Sequence, residues 1–220
     1  MDFKPEFIEL IAQRRRVLRT KLAAILPQPR PIVWEVGCGH GHFLERYSAE
    51  FPTRLCVGVD LSSERIARAD RKAKRVKSGN CHFVRAEALE FLHALPAGVM
   101  FEEIWVLFPD PWPKKRHHKN RILQPGFFEA VAPRAGEGAR LHFRTDHAEY
   151  FQFVADFMLS LKTWQTAPAD TAWPLEHETV FQARAIRYQS LVAIRTSHPA
   201  TPTEKAAPGL PPPTAPTSPA

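Results

Sequence analysis

Short apolar runs alternate with longer amphipathic segments along most of the chain. The short runs predict β-strands, because they are bounded by glycine, proline or polar residues. The predicted strands cover residues 32–36, 55–59, 82–84, 104–108, 140–144 and 191–195. Strands that alternate with helices are typical of a doubly wound α/β sheet with helices on both faces, whose ligand lies at the carboxyl ends of the strands.

Helical periodicity predicts several of the segments between these strands. We expect helices over residues 41–51 and 150–161, around residues 127–131, and in a basic segment that begins at Ser62. The hydroxyl of Ser62 is a suitable N-cap because it can accept a hydrogen bond from an amide of the first turn. In the segment 150–161 the apolar residues share one face, which indicates that this face is buried.

Composition divides the chain into three parts. Of its 220 residues 44% are hydrophobic and 24% are charged, which is typical of a globular protein and excludes a fully disordered chain. We expect a basic N-terminal helix within residues 1–29 and the α/β domain in residues 30–197. Residues 198–220 are rich in proline and poor in charge, so a disordered tail is expected there, with a proline-rich docking ligand as the alternative.

The charge balance favours an anionic partner. The chain has 30 Lys and Arg against 23 Asp and Glu, a net charge of +7, which suits a nucleic acid or an acidic membrane surface. The apolar runs are far shorter than the ~20 residues that span a bilayer, and no signal peptide is visible. The cysteines, Cys38, Cys56 and Cys81, lack the spacing of a zinc site. We therefore expect a cytoplasmic protein with no membrane span and no metal, as a monomer or a homodimer.

The first predicted strand contains Glu35 and runs into a glycine-rich turn, GCGHG, at residues 37–41. Gly37 and Gly39 would let a ligand approach the backbone closely. The spacing differs from the GxGxxG of dinucleotide sites, and an acid before the turn would repel a pyrophosphate. Asp60, at the end of the second strand, can accept hydrogen bonds from ribose hydroxyls. The pattern favours a cationic nucleoside without phosphates, such as S-adenosylmethionine; a tight turn without a cofactor is the alternative.

Glu87 follows the third predicted strand. At this place a carboxylate would lie near the adenine of a bound nucleoside. The alternative is an acid in the first turn of a helix, where it complements the helix dipole.

The fourth predicted strand is followed by FPDPWPKKRHHKNR, residues 108–121. Its prolines remove backbone donors and fix φ, so we expect a stiff, non-helical loop that holds Asp110 and Trp112 over the cofactor site. The carboxylate and the ring suit a flat base, and the cations that follow suit its phosphates. For the cations taken singly, a solvated basic loop is the alternative.

The chain resembles the bacterial tRNA (guanine-N7-)-methyltransferase family over residues 30–195, most specifically in the segment 108–121. The resemblance implies a Rossmann-like methyltransferase domain in residues 30–197, S-adenosylmethionine as cofactor and tRNA as partner. It implies methylation of a variable-loop guanine, at position 46 of the tRNA. The family's cofactor contacts fall on Glu35, Asp60, Glu87 and Asp110. Its substrate contacts fall on Lys114, Asp146, Thr179, Val180, Phe181 and Gln182.

Three positions depart from the family. The family usually has Glu where this chain has Asp60, and Asp or Asn where it has Glu87. Both replacements keep a polar acceptor. The family also has Glu where Gln182 stands, so here an amide replaces a carboxylate in the substrate segment.

Guanine N7 carries a lone pair and no proton, so its methylation needs alignment and exclusion of water rather than a general base. The purine becomes cationic as the bond forms, and nearby carboxylates can stabilise that charge. We assign this catalytic role first to Asp110 and second to Asp146, with Lys114 on a phosphate. An acid/base role for His117 or His118 is the alternative.

Further tRNA contacts are expected on two basic helices. One carries Arg14, Arg15, Arg16, Arg19 and Lys21, and the other covers residues 65–77. Together they suit the phosphates of a folded RNA, although either could be a solvated surface.

Other functions have weaker support from the sequence. A methyltransferase for exocyclic amines would have an Asp/Asn-Pro-Pro-aromatic loop, and here the second proline is missing. A non-catalytic RNA-binding module would not need Glu35, the glycines and Asp60 together. A nicotinamide dehydrogenase is disfavoured by the GxGxG spacing and the acid before it.

Overall fold

The computed structural model describes residues 5–75, 79–176, 182 and 185–197. The α-helices are α1 (Pro5–Ile25), α2 (His42–Glu50), α3 (Ser63–Arg75), α4 (Ala88–Ala94), α5 (Pro125–Val131) and α6 (Ala148–Met158). The strands are β1 (Pro31–Val36), β2 (Cys56–Asp60), β3 (Cys81–Arg85), β4 (Met100–Leu107), β5 (Ala135–Thr145), β6 (Trp164–Thr166) and β7 (Gln189–Arg195). The predicted tail, residues 198–220, lies outside the described residues.

The described strands form one sheet in the order β3-β2-β1-β4-β5-β7-β6. Strands β1 to β5 are parallel, whereas β7 is antiparallel to both β5 and β6. The chain runs from β1 to β3 in one direction and from β4 onward in the other, so the topological switch point lies between β1 and β4. Ligands of doubly wound sheets bind at the carboxyl ends of the strands at this point. The predicted doubly wound fold is confirmed.

Helices cover both faces of the sheet. Along β1 successive side chains point to opposite faces, so Trp34 belongs to one buried cluster and Val33 to the other. The cluster around Trp34 includes residues of α1, α4, α5 and α6, and the cluster around Val33 includes residues of α2 and α3. Two buried layers therefore hold the strands rigidly, and the loops at the carboxyl ends are free to carry chemistry.

Of the remaining local predictions, the structure confirms one and corrects two. The hydroxyl of Ser62 accepts from the amide of Arg65 at 3.3 Å, which confirms the predicted cap of α3. The loop predicted to be non-helical contains a 3-10 helix at Lys115–Asn120, because every residue after the last proline has an amide donor again. The last predicted helix begins earlier than expected and ends at Met158, where the exposed Leu159 follows.

Candidate active site

The glycine turn after β1 needs glycine for two reasons. Gly39 has φ of 53° and Gly41 has φ of 71°, a left-handed conformation that side chains disfavour. A Cβ on Gly41 would lie 2.5 Å from the ring of Phe83, so α2 begins against β3 without room for a side chain. Around Gly37 and Gly39 no atom lies within 4 Å of such a Cβ, which leaves their backbone open to a ligand.

Asp60 fastens this turn to the end of β2. One carboxylate oxygen accepts from the amide of Gly39 at 3.0 Å, and the other accepts from the amide of Ser62 at 2.8 Å. Arg65 lies 3.5 Å from the carboxylate. Because each oxygen has a second lone pair, Asp60 can hold the turn and still accept from ribose hydroxyls.

Glu35 is a buried acid that forms no ion pair with any described residue. Its side chain lies at the end of β1 and is 4% exposed, and among the described residues Oε2 has no hydrogen-bond partner. Burial raises the pKa of this carboxyl to about 8, opposed by a hydrogen bond with the backbone of Leu44 and assisted by the charge of Asp60. A bound cation would provide the missing partner, so this acid fits a ligand such as S-adenosylmethionine.

Glu87 caps α4. Its carboxylate accepts from the amide of Glu90 at 2.9 Å, which agrees with the alternative interpretation of an acid at the start of a helix. The residue is half-buried and lies just after the carboxyl end of β3. Its contact with an adenine stays a prediction.

The loop after β4 presents Asp110 to solvent. Phe108 and Trp112 on either side of it have φ of 48° and 45°, strained values for residues with side chains. The stretch from Asp110 to Pro113 lines a shallow groove of about 310 Å³. Strained backbone of this kind persists where the surrounding contacts hold it, and it is common in functional sites.

Asp146 lies next to this loop in the sheet order. It is exposed and follows the end of β5, the strand that pairs with β4. The two loops are joined directly, because the amide of Phe108 donates to the carbonyl of Arg144 at 2.8 Å. The structure therefore brings both predicted catalytic carboxylates to neighbouring strand ends.

Arg144 is a functional candidate that the sequence did not predict. It is buried at the end of β5, donates to both oxygens of Glu176 at 3.1 and 3.2 Å, and stacks on Trp173 at 3.9 Å. It also donates to the amide oxygen of Gln182 at 3.0 Å, and the amide nitrogen of Gln182 donates to Tyr188 at 3.1 Å. The other predicted substrate residues of this segment, Thr179, Val180 and Phe181, lie outside the described residues.

The basic segment after the prolines divides into exposed and buried members. Lys114, Lys115, Arg116 and Lys119 are exposed. Arg121, in contrast, has a side chain with no exposed surface, so its expected place among the phosphate-binding cations is wrong.

On the N-terminal helix the Nζ of Lys21 donates to the carbonyl of Phe83 at 2.7 Å, and Arg16 pairs with Glu9 at 2.6 Å. Arg14 lies 3.6 Å from Glu90. On α3, Arg68 pairs with Glu64 at 2.5 Å. Several of the predicted RNA-binding cations are therefore already engaged within the protein.

A second buried polar cluster lies within the sheet, before the carboxyl end of β4. Glu103 accepts from Tyr47 at 2.9 Å and from Arg54 at 2.7 Å. His142 stacks on Trp105 with ring centroids 3.9 Å apart, and burial together with nearby arginines lowers its pKa to about 3. His142 is therefore neutral at physiological pH, and its place in the core gives it no access to a substrate.

The described part of the chain contains neither a metal site nor a membrane-spanning helix. Among those residues no group of His, Cys, Asp and Glu side chains has the arrangement of a metal site. No described helix combines the length and apolar character of a membrane span.

Two solved structures with a similar fold are described as methyltransferases or methylases. A methyltransferase from Pyrococcus furiosus matches with a TM-score of 0.53 and 14% identity, covering 82% of this chain and 82% of that chain. An rRNA methylase from Streptococcus thermophilus matches with a TM-score of 0.51 and 11% identity, over 90% of this chain and 99% of that one. At these identities the similarity establishes the fold.

Sequence relatives identify the family. Residues 29–192 match a family model described as "Putative methyltransferase". A tRNA (guanine-N(7)-)-methyltransferase from Halorhodospira halophila is 32% identical over 76% of this chain and 74% of its own length. Proteins of the same name from Alkalilimnicola ehrlichii and Mycolicibacterium paratuberculosis are 33% and 35% identical, over 68% and 56% of their own lengths. With this coverage and identity, the chain belongs to the tRNA (guanine-N(7)-)-methyltransferase family.

Proposed function

We propose that this protein transfers a methyl group from S-adenosylmethionine to N7 of the variable-loop guanine at position 46 of tRNA. The names of its relatives give the acceptor and the atom. The observation that carries the proposal is the exposed Asp110 in a strained loop at the switch point, beside the glycine turn and its buried acid Glu35. A substrate of this kind places the reaction in the cytoplasm.

Three acids and the glycine turn suit the cofactor. Glu35 would pair with a cationic group of S-adenosylmethionine, and Asp60 would accept from the ribose hydroxyls. Glu87 has a carboxylate oxygen left beside its cap and would face the adenine. The open backbone at Gly37 and Gly39 would let the cofactor lie against the turn.

When bound, S-adenosylmethionine supplies an electrophilic methyl group on a sulfonium. Transfer of this methyl group to the in-plane lone pair of guanine N7 would form a carbon–nitrogen bond, break the sulfur–carbon bond and move positive charge onto the purine. Asp110 would stabilise that charge, and Asp146 would accept from the N1–H and N2–H groups of the base. No proton is removed from N7, so the loop needs no general base.

The exposed cations suit the tRNA backbone. Lys114 precedes the 3-10 helix and would contact a phosphate near the target nucleotide, with Arg116 and Lys119 on phosphates farther along. At the other side of the site, Gln182 is held by Arg144 and Tyr188. Glu176 supplies a carboxylate that pairs with Arg144. Arg144 therefore keeps a negatively charged partner although position 182 carries an amide.

Nucleoside mass spectrometry tests the function directly. Unmodified tRNA transcript is incubated with the protein and S-adenosylmethionine, digested and analysed for methylated guanosine. The expected product is 7-methylguanosine, and a transcript with adenosine at position 46 is expected to yield none. A methyl group on the exocyclic N2, or product from the altered transcript, would contradict the proposed atom or position.

Substitution of Asp60 tests the cofactor site. In Asp60→Ala we expect the dissociation constant of S-adenosylmethionine to rise by about 10- to 100-fold, equivalent to roughly 1.5–3 kcal/mol for lost hydrogen bonds to a charged group. Isothermal titration calorimetry on the folded variant measures it. Asp156→Ala removes an exposed acid of α6 and is the matched control. Unchanged affinity in folded Asp60→Ala would remove Asp60 from the cofactor site.

A further inference from the structure

We propose that Arg121, whose side chain is buried, and Glu149, whose side chain is partly exposed, form a clamp that positions the Asp110 loop for reaction. The proposal rests on the function given above. In this proposal both residues position the loop. Their charges alone would suggest instead that Arg121 binds RNA and that Glu149 repels it.

Arg121 uses its guanidinium entirely within the protein. Its Nε donates to the carbonyl of Pro111 at 2.8 Å, and its two terminal nitrogens donate to Glu149 at 3.3 and 3.1 Å. One of these nitrogens also lies 3.0 Å from Nε2 of His118. The guanidinium carbon lies 4.8 Å from the ring centroid of Tyr150, so its flat face is covered as well. This side chain has no surface left for a phosphate.

The contact with Pro111 acts on the residue that follows Asp110. A proline has no amide hydrogen, so a carbonyl is the backbone group by which this position can be held. Trp112, the next residue, has a strained φ of 45°. Holding the Pro111 carbonyl fixes the peptide plane between the carboxylate and the strained residue. Arg121 thereby opposes relaxation of the loop away from the reactive geometry.

Glu149 links this loop to the loop of Asp146. It lies in the first turn of α6, which begins just after Asp146. The other end of the Asp110 loop is held to the same segment, since the amide of Phe108 donates to the carbonyl of Arg144 at 2.8 Å. The clamp therefore fixes the spacing between the two carboxylates that face the guanine.

The clamp also includes His118. Its Nε2 lies 3.0 Å from a terminal nitrogen of Arg121 and 3.7 Å from Oε2 of Glu149. The ring therefore contacts both charged residues, and His118 is a third member of the clamp.

Two opposing predictions separate positioning from RNA binding. A cation that contacts a phosphate contributes about 0.7–0.9 to the slope of log affinity against log salt concentration. Arg121→Lys cannot reach Pro111, Glu149 and His118 together, so we expect kcat at saturating tRNA and cofactor to fall about 10- to 100-fold with the salt slope unchanged. Arg116→Gln, an exposed cation of the same segment, is the comparison: its salt slope should decrease and its KM for tRNA should rise.

Glu149→Gln gives the second measurement. Removal of an acid near the RNA would strengthen tRNA binding if charge alone mattered, whereas loss of the clamp lowers kcat. We expect kcat to fall at least fivefold, and the double variant with Arg121→Lys to be little worse than Arg121→Lys alone, because both changes break one unit. An additive double variant would contradict the clamp.

A control variant separates effects on folding from effects on the reaction. Tyr47→Phe removes a buried hydroxyl that donates to Glu103 at 2.9 Å, away from the Asp110 loop, so it should lower the melting temperature without slowing the reaction more than twofold. Hydrogen exchange at the amides of Asp110, Trp112 and Lys114 should accelerate in Arg121→Lys and not in Tyr47→Phe. That readout does not need activity, so it tests the clamp even if no 7-methylguanosine forms. Full kcat in Arg121→Lys with a reduced salt slope would overturn the proposal; if this variant does not fold, Glu149→Gln decides.

Discussion

Asp110→Asn is expected to lower kcat by about 10²- to 10³-fold, the usual effect of losing one preorganised electrostatic partner. The substitution keeps the shape of the side chain and removes the charge that, in the proposed mechanism, would face the purine as it becomes cationic. The exposed position of Asp110 in its groove means that the fold does not depend on this carboxylate. The loss should therefore appear in turnover with the melting temperature unchanged.

Single-turnover methylation of tRNA at saturating cofactor measures this effect, with Asp156→Asn on α6 as the control of equal charge change. For the wild-type protein the rate of the chemical step is expected to be flat from about pH 6 to 8.5, because N7 has no proton to lose. A rise of log rate with slope one over this range would indicate a general base. His117 and His118 would then be the candidates, because both follow Asp110 in the same loop.

Local patterns predicted the fold where one face or both faces of an element are buried. The runs that became β1, β2 and β4 are almost wholly buried, so their hydrophobicity identifies them without tertiary information. Strand β6 was missed because it is three residues long and Trp164 is its one buried residue. Its pairing with β7 is a long-range contact that no local pattern encodes.

The candidate site likewise contains residues that the sequence predicted and residues that it did not. Glu35, Asp60 and Asp110 were predictable because each stands at a strand end next to a turn with an unusual backbone requirement. Arg121 and Arg144 were not, because a buried arginine in a basic or mixed segment looks the same in sequence as a solvated one. Their roles depend on partners far along the chain, Glu149 and Glu176, and on the aromatic rings that cover them.

Glu35→Gln is expected to weaken cofactor binding at least 100-fold and at the same time to stabilise the free protein at neutral pH. An acid that is buried without a cation opposes folding once it ionises, which is why its pKa is raised to about 8. The favourable contribution of its neutral form is complete below the unfolded pKa near 4.5 and is lost as the pH rises to about 8. A shift of this size corresponds to a change in the free energy of unfolding on the order of 5 kcal/mol. Glutamine does not ionise, so the variant escapes that loss.

Thermal unfolding from pH 5 to 8.5, with and without S-adenosylmethionine, separates the two effects. Without cofactor, the difference in melting temperature between Glu35→Gln and the wild type should grow with pH in favour of the variant. With cofactor, the wild type should gain far more, because a bound cation lowers the pKa of Glu35 and binding near pH 7 releases a proton. Calorimetry in buffers of different ionisation enthalpy counts that proton. A pH-independent difference between the two proteins, or wild-type cofactor affinity in the variant, would show that Glu35 does not meet the cationic part of the cofactor.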